Sequence, residues 1–420
     1  MTEKGIETPS FFLCPISLEI MKDPVTLSTG ITYDRESIEK WLCIKRNHTC
    51  PITKQTLTDI ELTPNHTLRR LIQSWCTINA PFGVERFPTP RLPVSKSQIL
   101  NLLQDSKSPH LEMKCLKRLK MIVLESDMNK RAVEAAGAVD YLAYIVNKCP
   151  SVNVALSSSP EEFSGSDNML TASSDAVSIL YHLGLSQTSL KALFGNNGEF
   201  VNAMTRVMQL TANDESRTYA ILLLNSMMEV AEPIQMMSLN RHFFIELTRI
   251  LIKQVSRKAT KAALKILIGV CPWGRNRIKT VEAGVVPVLV DTLLDCTEKR
   301  TVEMVLLLLH HLCLCADGRA ELLKHGAGLA VVSKKICRVS GVASERAVRI
   351  LHSVASYSGN ARVVQEMLQL GVVGKLCFVL QVDCCEKKTR EKAREILKMH
   401  ARAWKNSSCV PYNLVASYPS

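Results

Sequence analysis

The chain has 420 residues, 46% hydrophobic and 22% charged, a balance that excludes global disorder. Aromatic residues make up only 5%, which favours aliphatic helix-on-helix packing over a β-sandwich, and a length of this size allows roughly two to four domains or one repeat array with an attachment. Net charge is +13, yet residues 1–80 hold nine Lys/Arg against nine Asp/Glu, so the whole excess lies in 81–420.

Met1 to Pro9 contains no apolar run followed by small residues, so no secretory signal is read there. The strongest apolar stretch, Met304 to Leu309, is far short of the ~20 residues of a membrane span. Fifteen cysteines are scattered from Cys14 to Cys409 without a framework. They are expected to be reduced, mostly buried, small apolar side chains in a cytosolic or nuclear protein.

From Phe11 to Ala80 the pattern reads loop, hairpin, helix, loop, helix. Val25-Thr26-Leu27 and Ile31-Thr32-Tyr33 alternate about the turn Ser28-Thr29-Gly30, which predicts a hairpin. Asp34 is placed to cap a helix over Arg35 to Cys43, with Glu36 in its first turn. Asn65 is placed to cap a second helix over Leu68 to Ile78. Two loops frame the first helix, Cys14-Pro15-Ile16-Ser17 and Cys50-Pro51-Ile52-Thr53. Each looks like a Cys-x-x-Cys zinc knuckle whose second cysteine is gone. Zinc needs about four Cys/His ligands at set spacings, and Cys43, His48 and Cys50 supply at most part of one site. No metal or other cofactor is expected, and such loops must be held by hydrogen bonds and ion pairs instead. Asp34, Arg35 and Glu36 are candidates for that network. The Asn-x-Thr triplets at Asn47 and Asn65 are discounted as glycosylation sites, given the missing signal.

Pro81, Pro88, Pro90 and Pro93 fall close together and rule out a helix, so 81–95 is expected to be a stiff connector. A Ser/Pro/acid-rich stretch about 150–174 reads as a mobile insertion, and 406–420 as a tail without periodicity. Between them, over 96–405, a short phrase recurs. Ala136-Gly137-Ala138-Val139, Ala283-Gly284-Val285-Val286, His325-Gly326-Ala327-Gly328 and Leu370-Gly371-Val372-Val373 are copies. Asn197-Gly198-Glu199-Phe200 is weaker, and Arg241-His242-Phe243-Phe244 lacks the glycine. Anchors at 137, 198, 241, 284, 326 and 371 are 61, 43, 43, 42 and 45 apart. A period near 42 is the range of HEAT and armadillo arrays. Each glycine is expected to end one helix in a left-handed cap and open the next. Longer helices follow, such as Lys258 to Val270, Thr301 to Cys315 and Ser344 to Ser356. The phrase resembles the armadillo repeat, which implies a curved groove lined by the third helix of each repeat.

The N-terminal pattern resembles the U-box, the zinc-free relative of the RING domain. The resemblance is carried by Cys14-Pro15-Ile16-Ser17-Leu18-Glu19-Ile20-Met21, Asp23-Pro24-Val25, Gly30-Ile31-Thr32-Tyr33-Asp34-Arg35, Ile38 and Trp41. Cys50-Pro51-Ile52-Thr53 and Pro64-Asn65-His66-Thr67-Leu68-Arg69-Arg70-Leu71-Ile72 complete it. Phe82 to Pro90 resembles the linker of the plant U-box/armadillo E3 ubiquitin ligases of immune and stress signalling. The expected fold is therefore mainly α: a small α+β U-box at 1–80 followed by an α-solenoid of armadillo-type repeats.

The resemblance implies that no residue is a covalent nucleophile. A ubiquitin-charged E2 is bound and its thioester oriented for attack by a substrate lysine. By position in the motif, Ile16, Leu18, Trp41 and Pro51 should form the E2-docking surface; core packing of Ile16, Leu18 and Trp41 is the competing reading. Cys14, Asp34, Arg35 and Cys50 should be structural. Many relatives place an Arg three residues after the second-loop proline, bridging E2 and ubiquitin. Here that residue is Lys54, a point charge instead of a planar fork, so the closed state should be less favoured. The substrate is expected in the armadillo groove, and the positive surplus points to an acidic or phosphorylated segment. Homodimerisation through the U-box is common in the family and is left open by the sequence. The compartment is expected to be cytoplasmic, with nucleus and membrane surface as alternatives. Two other functional classes compete with this reading: an adaptor with a silent U-box, and a basic repeat binding nucleic acid. The latter would place Lys258, Lys261, Lys265, Arg346 and Arg349 among stacking aromatics, which the sequence largely lacks on the third helices.

Overall fold

The structure, a computed structural model, describes residues 8–44, 49–57, 61–82, 94–150, 160–195, 198–211, 213–382 and 386–405. By its contacts the chain divides into two compact units, residues 1–93 and 94–420.

In the first unit a short antiparallel sheet has the order β2-β1-β3. Strand β1 (Pro24–Thr26) pairs with β2 (Thr32–Asp34), with Val25 opposite Tyr33. The predicted hairpin is there, and Gly30 closes its turn with φ at +78°, a conformation glycine adopts at no steric cost. A third strand, β3 (Thr63–Pro64), joins the other edge of β1 and was not foreseen. Helix α1 (Arg35–Ile44) follows β2 directly, and α2 (His66–Asn79) follows β3. Asn65 caps α2 as expected, its Oδ1 accepting the Leu68 amide at 3.0 Å. Val25, Tyr33, Ile38, Ile72 and Cys76 bring both strands and both helices into one small core.

The second unit opens with helices Lys96–Asp105 and Pro109–Glu125. Three-helix repeats follow, whose first helices begin at Asp127, Gln187, Pro233, Asn276, Ala316 and Ala361. The third helices are Pro160–Leu183, Asp214–Val230, Arg257–Val270, Lys299–Cys313, Gly341–Ser358 and Lys387–Met399. Each packs on the third helix of the next repeat, and Pro109–Glu125 packs on the first of them. One continuous apolar core runs from Ile99 to Trp404. Among the described residues no single helix is long and apolar enough to cross a membrane.

Gly137, Gly198, Gly284 and Gly371 cap second helices in the left-handed conformation, with φ between +66° and +78°. At the glycine-free anchor Asn240 takes over, its side chain accepting the Phe243 amide at 2.9 Å. The copy at Gly326 departs from the rule. The preceding helix ends at Lys324 with His325 extended, and the next begins at Gly328 after Ala327.

A second correction concerns the Ser-rich stretch. From Pro160 onward it is helix, not a mobile insertion; residues 151–159 lie outside the described residues, as do 83–93 of the expected connector and the 406–420 tail. Ala172, Ser173, Ala176, Val177 and Ser178 are buried. Ser173 donates to the Met169 and Ile145 carbonyls at 2.8 and 3.2 Å. A buried serine satisfied four residues back is compatible with helix, although its composition reads as loop.

Candidate functional site

The two Cys-Pro-Ile loops share one geometry. In the first, the Leu18 amide donates to the Cys14 carbonyl at 2.8 Å and the Cys14 amide to the Glu19 carbonyl at 2.8 Å. In the second, Lys54 donates to Cys50 at 3.0 Å and Cys50 to Gln55 at 2.9 Å. Bridges between Leu13 and Ile20, and between Thr49 and Thr56, clamp the two necks. Leu18 and Lys54 occupy the same fifth position, and both are left-handed, with φ of 59° and 58°. Such backbone costs a non-glycine residue about 1 kcal/mol and turns both side chains away from the closed ring.

Strand β2 ties the loops to the core. The Asp34 amide donates to Cys14 Sγ at 3.3 Å, and the Tyr33 hydroxyl lies 3.1 Å from Cys50 Sγ. Both cysteines are fully buried. Burial pushes the Cys50 thiol up, but the hydroxyls of Thr29, Thr53 and Tyr33 and the Thr53 amide reverse this and bring it down to about 6. Cys14 is likewise raised by burial and then brought below its ordinary value by amides of Ser17, Asp34 and Ile16. Burial raises Tyr33, and its hydrogen bond to Cys50 raises it further. The sulfurs act as hydrogen-bond acceptors, and Ser17 and Thr53 sit where second zinc ligands would. Among the described residues no group of three His, Cys, Asp or Glu is placed to hold a metal ion. His48 and Asn47 lie outside the described residues.

The polar network is centred on Asp23, which the sequence reading did not select. Arg35 Nε meets Asp23 Oδ2 at 2.6 Å and Arg69 Nη1 meets Oδ1 at 3.4 Å. This joins α1, the start of β1 and α2. Asp34 Oδ1 accepts the amides of Lys22 and Asp23 at 2.8 and 3.0 Å. Glu36 belongs elsewhere, paired with Lys40 on the outer face of α1 at 2.5 Å.

Of the surface candidates, Leu18 is 74% exposed, against the alternative of core packing. Ile16 and Trp41 are half-buried against the core, and Pro51 is half-buried. Trp41 Nε1 donates to the Thr49 carbonyl at 2.9 Å, fixing α1 to the second loop's neck. Lys54 Nζ lies 5.7 Å from the Trp41 ring centroid, a cation–π distance. The structure thus joins Trp41, Thr49 and Lys54. Ile52, passed over in the sequence, is 51% exposed and is the second loop's counterpart of Ile16. The repetition of Cys-Pro-Ile was the signal that would have found it.

In the array, Lys261 meets Glu298 at 2.5 Å and Arg349 meets Glu345 at 2.7 Å. Arg346 donates to the Glu303 carbonyl at 2.5 Å. Aromatics are present on third helices after all: Tyr181 and Tyr219 stack at 4.9 Å between neighbouring repeats, and Tyr357 lies on Gly341–Ser358. They border a 310 Å³ cleft with Lys258. Glu215 holds the Tyr219 hydroxyl at 2.5 Å.

Comparison with known proteins agrees with this architecture. The U-box domain family matches residues 8–80, and the plant U-box protein ARM repeat region matches residues 98–420. The chain belongs to the plant U-box/armadillo-repeat E3 ubiquitin-protein ligases. It is 53% identical to the E3 ubiquitin-protein ligase PUB22 of Arabidopsis thaliana, with all of both chains covered. It is 54% identical to PUB23 of the same plant, over 99% of this chain and 98% of that one. Identity to PUB24 of that plant is 35%, over 98% and 96%. Among solved structures, a designed armadillo repeat protein in complex with peptide (KR)4 aligns with a TM-score of 0.41 and 14% identity, over 72% of this chain and 99% of that one. As a U-box E3 the protein is a transferase.

Proposed function

We propose that the U-box docks a ubiquitin-charged E2 on Ile16, Leu18, Trp41 and Pro51, and that the armadillo groove recruits the protein substrate whose lysine attacks the thioester. The observation that carries this reading is a pair of like loops presenting Leu18 and Ile52 to solvent beside a Trp41 locked by Thr49. Large apolar side chains around a half-buried aromatic are the make-up of a binding hot spot. Ile52 is added to the docking set. With both thiols buried, catalysis consists of holding E2 and ubiquitin in the reactive arrangement, where correct orientation supplies the rate. Lys54, over the Trp41 ring at the loop's exposed corner, is the proposed bridge to ubiquitin.

The basic surplus of the array supports a substrate segment that is acidic or phosphorylated. Family resemblance supports a role in plant defence or stress signalling, a cytoplasmic setting, and U-box homodimers.

A reconstituted assay with E1, E2, ubiquitin and ATP tests the docking surface. Wild type should build ubiquitin chains; Ile16→Ala/Trp41→Ala, shown by circular dichroism to be folded, should build none. Lys54→Arg keeps the side-chain reach and the left-handed backbone and changes only the head group, so it should speed discharge of the E2 thioester. A folded double variant as active as wild type would sink the docking assignment. An unchanged discharge rate in Lys54→Arg would sink the bridge.

A further inference from the structure

We infer that a pocket at the ends of two neighbouring second helices seats an aromatic side chain of the partner segment, with acidic residues of that segment beside it on Arg249 and Lys253; this deepens, and rests on, the reading above that the array recruits the substrate. The second helices Glu199–Leu210 and Arg241–Lys253 pack on one another. Gln254 ends the latter in the left-handed conformation, with φ of 47° and its amide donating to the Ile250 carbonyl at 3.1 Å. The chain turns there. Val255, together with Arg217 near the start of the third helix Asp214–Val230, then closes a cavity of about 250 Å³ between the helix ends.

The cavity is apolar inside and basic at its rim. Met208, Ile250 and Val255 form its walls, and Ile252, 61% exposed, stands at its lip. An apolar cavity of about 150 Å³ is enough for a benzene ring, so this one holds a phenylalanine side chain, to which Met208 offers its sulfur. Among the described residues three cations line the cavity, Arg217, Arg249 and Lys253, against one acid, Glu246. Arg217 is committed: its Nε donates to the Met208 carbonyl at 3.2 Å and its Nη1 meets Asp214 at 2.9 Å. Glu246 is buried, and Arg249 Nη1 covers its carboxylate at 2.6 Å. A guanidinium has five donors, and the Arg249 side chain is 55% exposed, so it can take a second carboxylate. Lys253 is exposed and makes no hydrogen bond or ion pair among the described residues.

These features select the guest. A free anion would leave the apolar walls uncovered, and a purely apolar ligand would leave Lys253 unanswered. A peptide segment with one aromatic residue flanked by Asp or Glu meets both. The buried ring is the anchor, while the exposed cations orient the segment and contribute less. Val255 also lines the 310 Å³ cleft of Tyr181, Tyr219 and Lys258, so a segment anchored in the pocket continues onto the third helices. The acids of that cleft are Asp214 and Glu215, and both are engaged, Asp214 by Arg217 and Glu215 by the Tyr219 hydroxyl. Lys258 is exposed and, among the described residues, has no such partner.

The test uses the full chain at low salt and fluorescein-labelled Gly/Ser peptides with the central sequence Glu-Glu-Phe-Glu-Glu. Anisotropy should show this parent peptide binding about tenfold or more tighter than one with Ala in place of Phe, and about threefold tighter than one with Gln in place of Glu. Ile252→Ser should weaken the parent about threefold and leave the Ala peptide unchanged. Lys253→Glu should weaken the parent about fivefold and the Gln peptide by less than about twofold. Both positions are exposed, so melting temperatures should be preserved. Ile234→Ser, at a 69% exposed isoleucine outside the lining, should stay within about twofold, since a single exposed apolar side chain carries no site by itself. No binding of the parent up to about 1 mM, or an equal loss in Ile234→Ser, overturns the pocket. Equal binding of the Phe and Ala peptides with loss of the Gln peptide would keep an acidic-partner groove and remove the pocket. Discharge of the E2 thioester onto free lysine is measured on the same preparations: its absence with parent binding intact would count against the ligase reading alone, and its presence without parent binding against the pocket alone.

Discussion

The two units solve the problem of staying folded in opposite ways. The U-box has a small core and relies on a few specific polar links: Asp23 to Arg35 and Arg69, the Asp34 carboxylate to two amides, and two thiols taking hydrogen bonds. The array relies on repetition. Each third helix buries an aliphatic stripe against its neighbours, and the core continues unbroken through every repeat. Side chains at the starts of the first helices close the ends of the long helices before them, as Asn129 does for Ile122, Asn276 for Val270 and Arg319 for Cys313. Damage in such a stack is local, whereas a lost polar link in the U-box is felt by both helices and the sheet.

That contrast can be pressed from its largest expected effect downward. Leu309→Ala, at a fully buried site, should cost the array about 3 kcal/mol. Chemical denaturation should show this loss while E2 discharge by the U-box is unchanged; a fall in discharge would mean that the units are coupled. Asp23→Ala should cost the U-box about 2 kcal/mol, because Arg35 and Arg69 lose their shared partner. Discharge should then fail at a temperature where the array's helical circular dichroism persists. A variant that discharges normally would show that the network is dispensable.

Gly284→Ala should destabilise the array by about 1 kcal/mol. Its φ is +78° and no atom lies within 4 Å of an added methyl group, so backbone strain is the only penalty. Gly326→Ala, also in open space but without a positive φ, should be near neutral, and thermal melts compare the two directly. At neutral pH His310 contributes little, and its effect is read in the pH dependence. His310 has a folded-state pKa of about 4 against the ordinary 6.5. Between these values the unfolded chain binds the extra proton, so stability falls as pH is lowered from 6.5 towards 4. His310→Gln should flatten that slope in melts across this range; an unaltered slope would place the sensitivity elsewhere.

What could be read before the structure was local or periodic. The hairpin, the Asn65 cap and four of the glycine caps are written in neighbouring residues, and the array in a spacing that repeats. What escaped was long-range. Arg69 meets Asp23 across 46 positions, and β3 is two residues whose only mark is where they pair. The helix from Pro160 was missed because a serine such as Ser173 looks like loop until its hydroxyl is seen folded back on a carbonyl. In the candidate site the motif named the loop residues, but not that Leu18 projects, that Trp41 is anchored, or that Ile52 matches Ile16 from the opposite loop.

The stacking of third helix on third helix also sets a ruler. Packed helices stand about 8–10 Å apart, and an extended chain advances about 3.3 Å per residue. A segment lying across the stack therefore meets a new helix about every third residue. Side chains of an extended chain alternate between its two faces, so residues three apart point to opposite sides, and a segment crossing the stack could not present the same side-chain position to every successive helix.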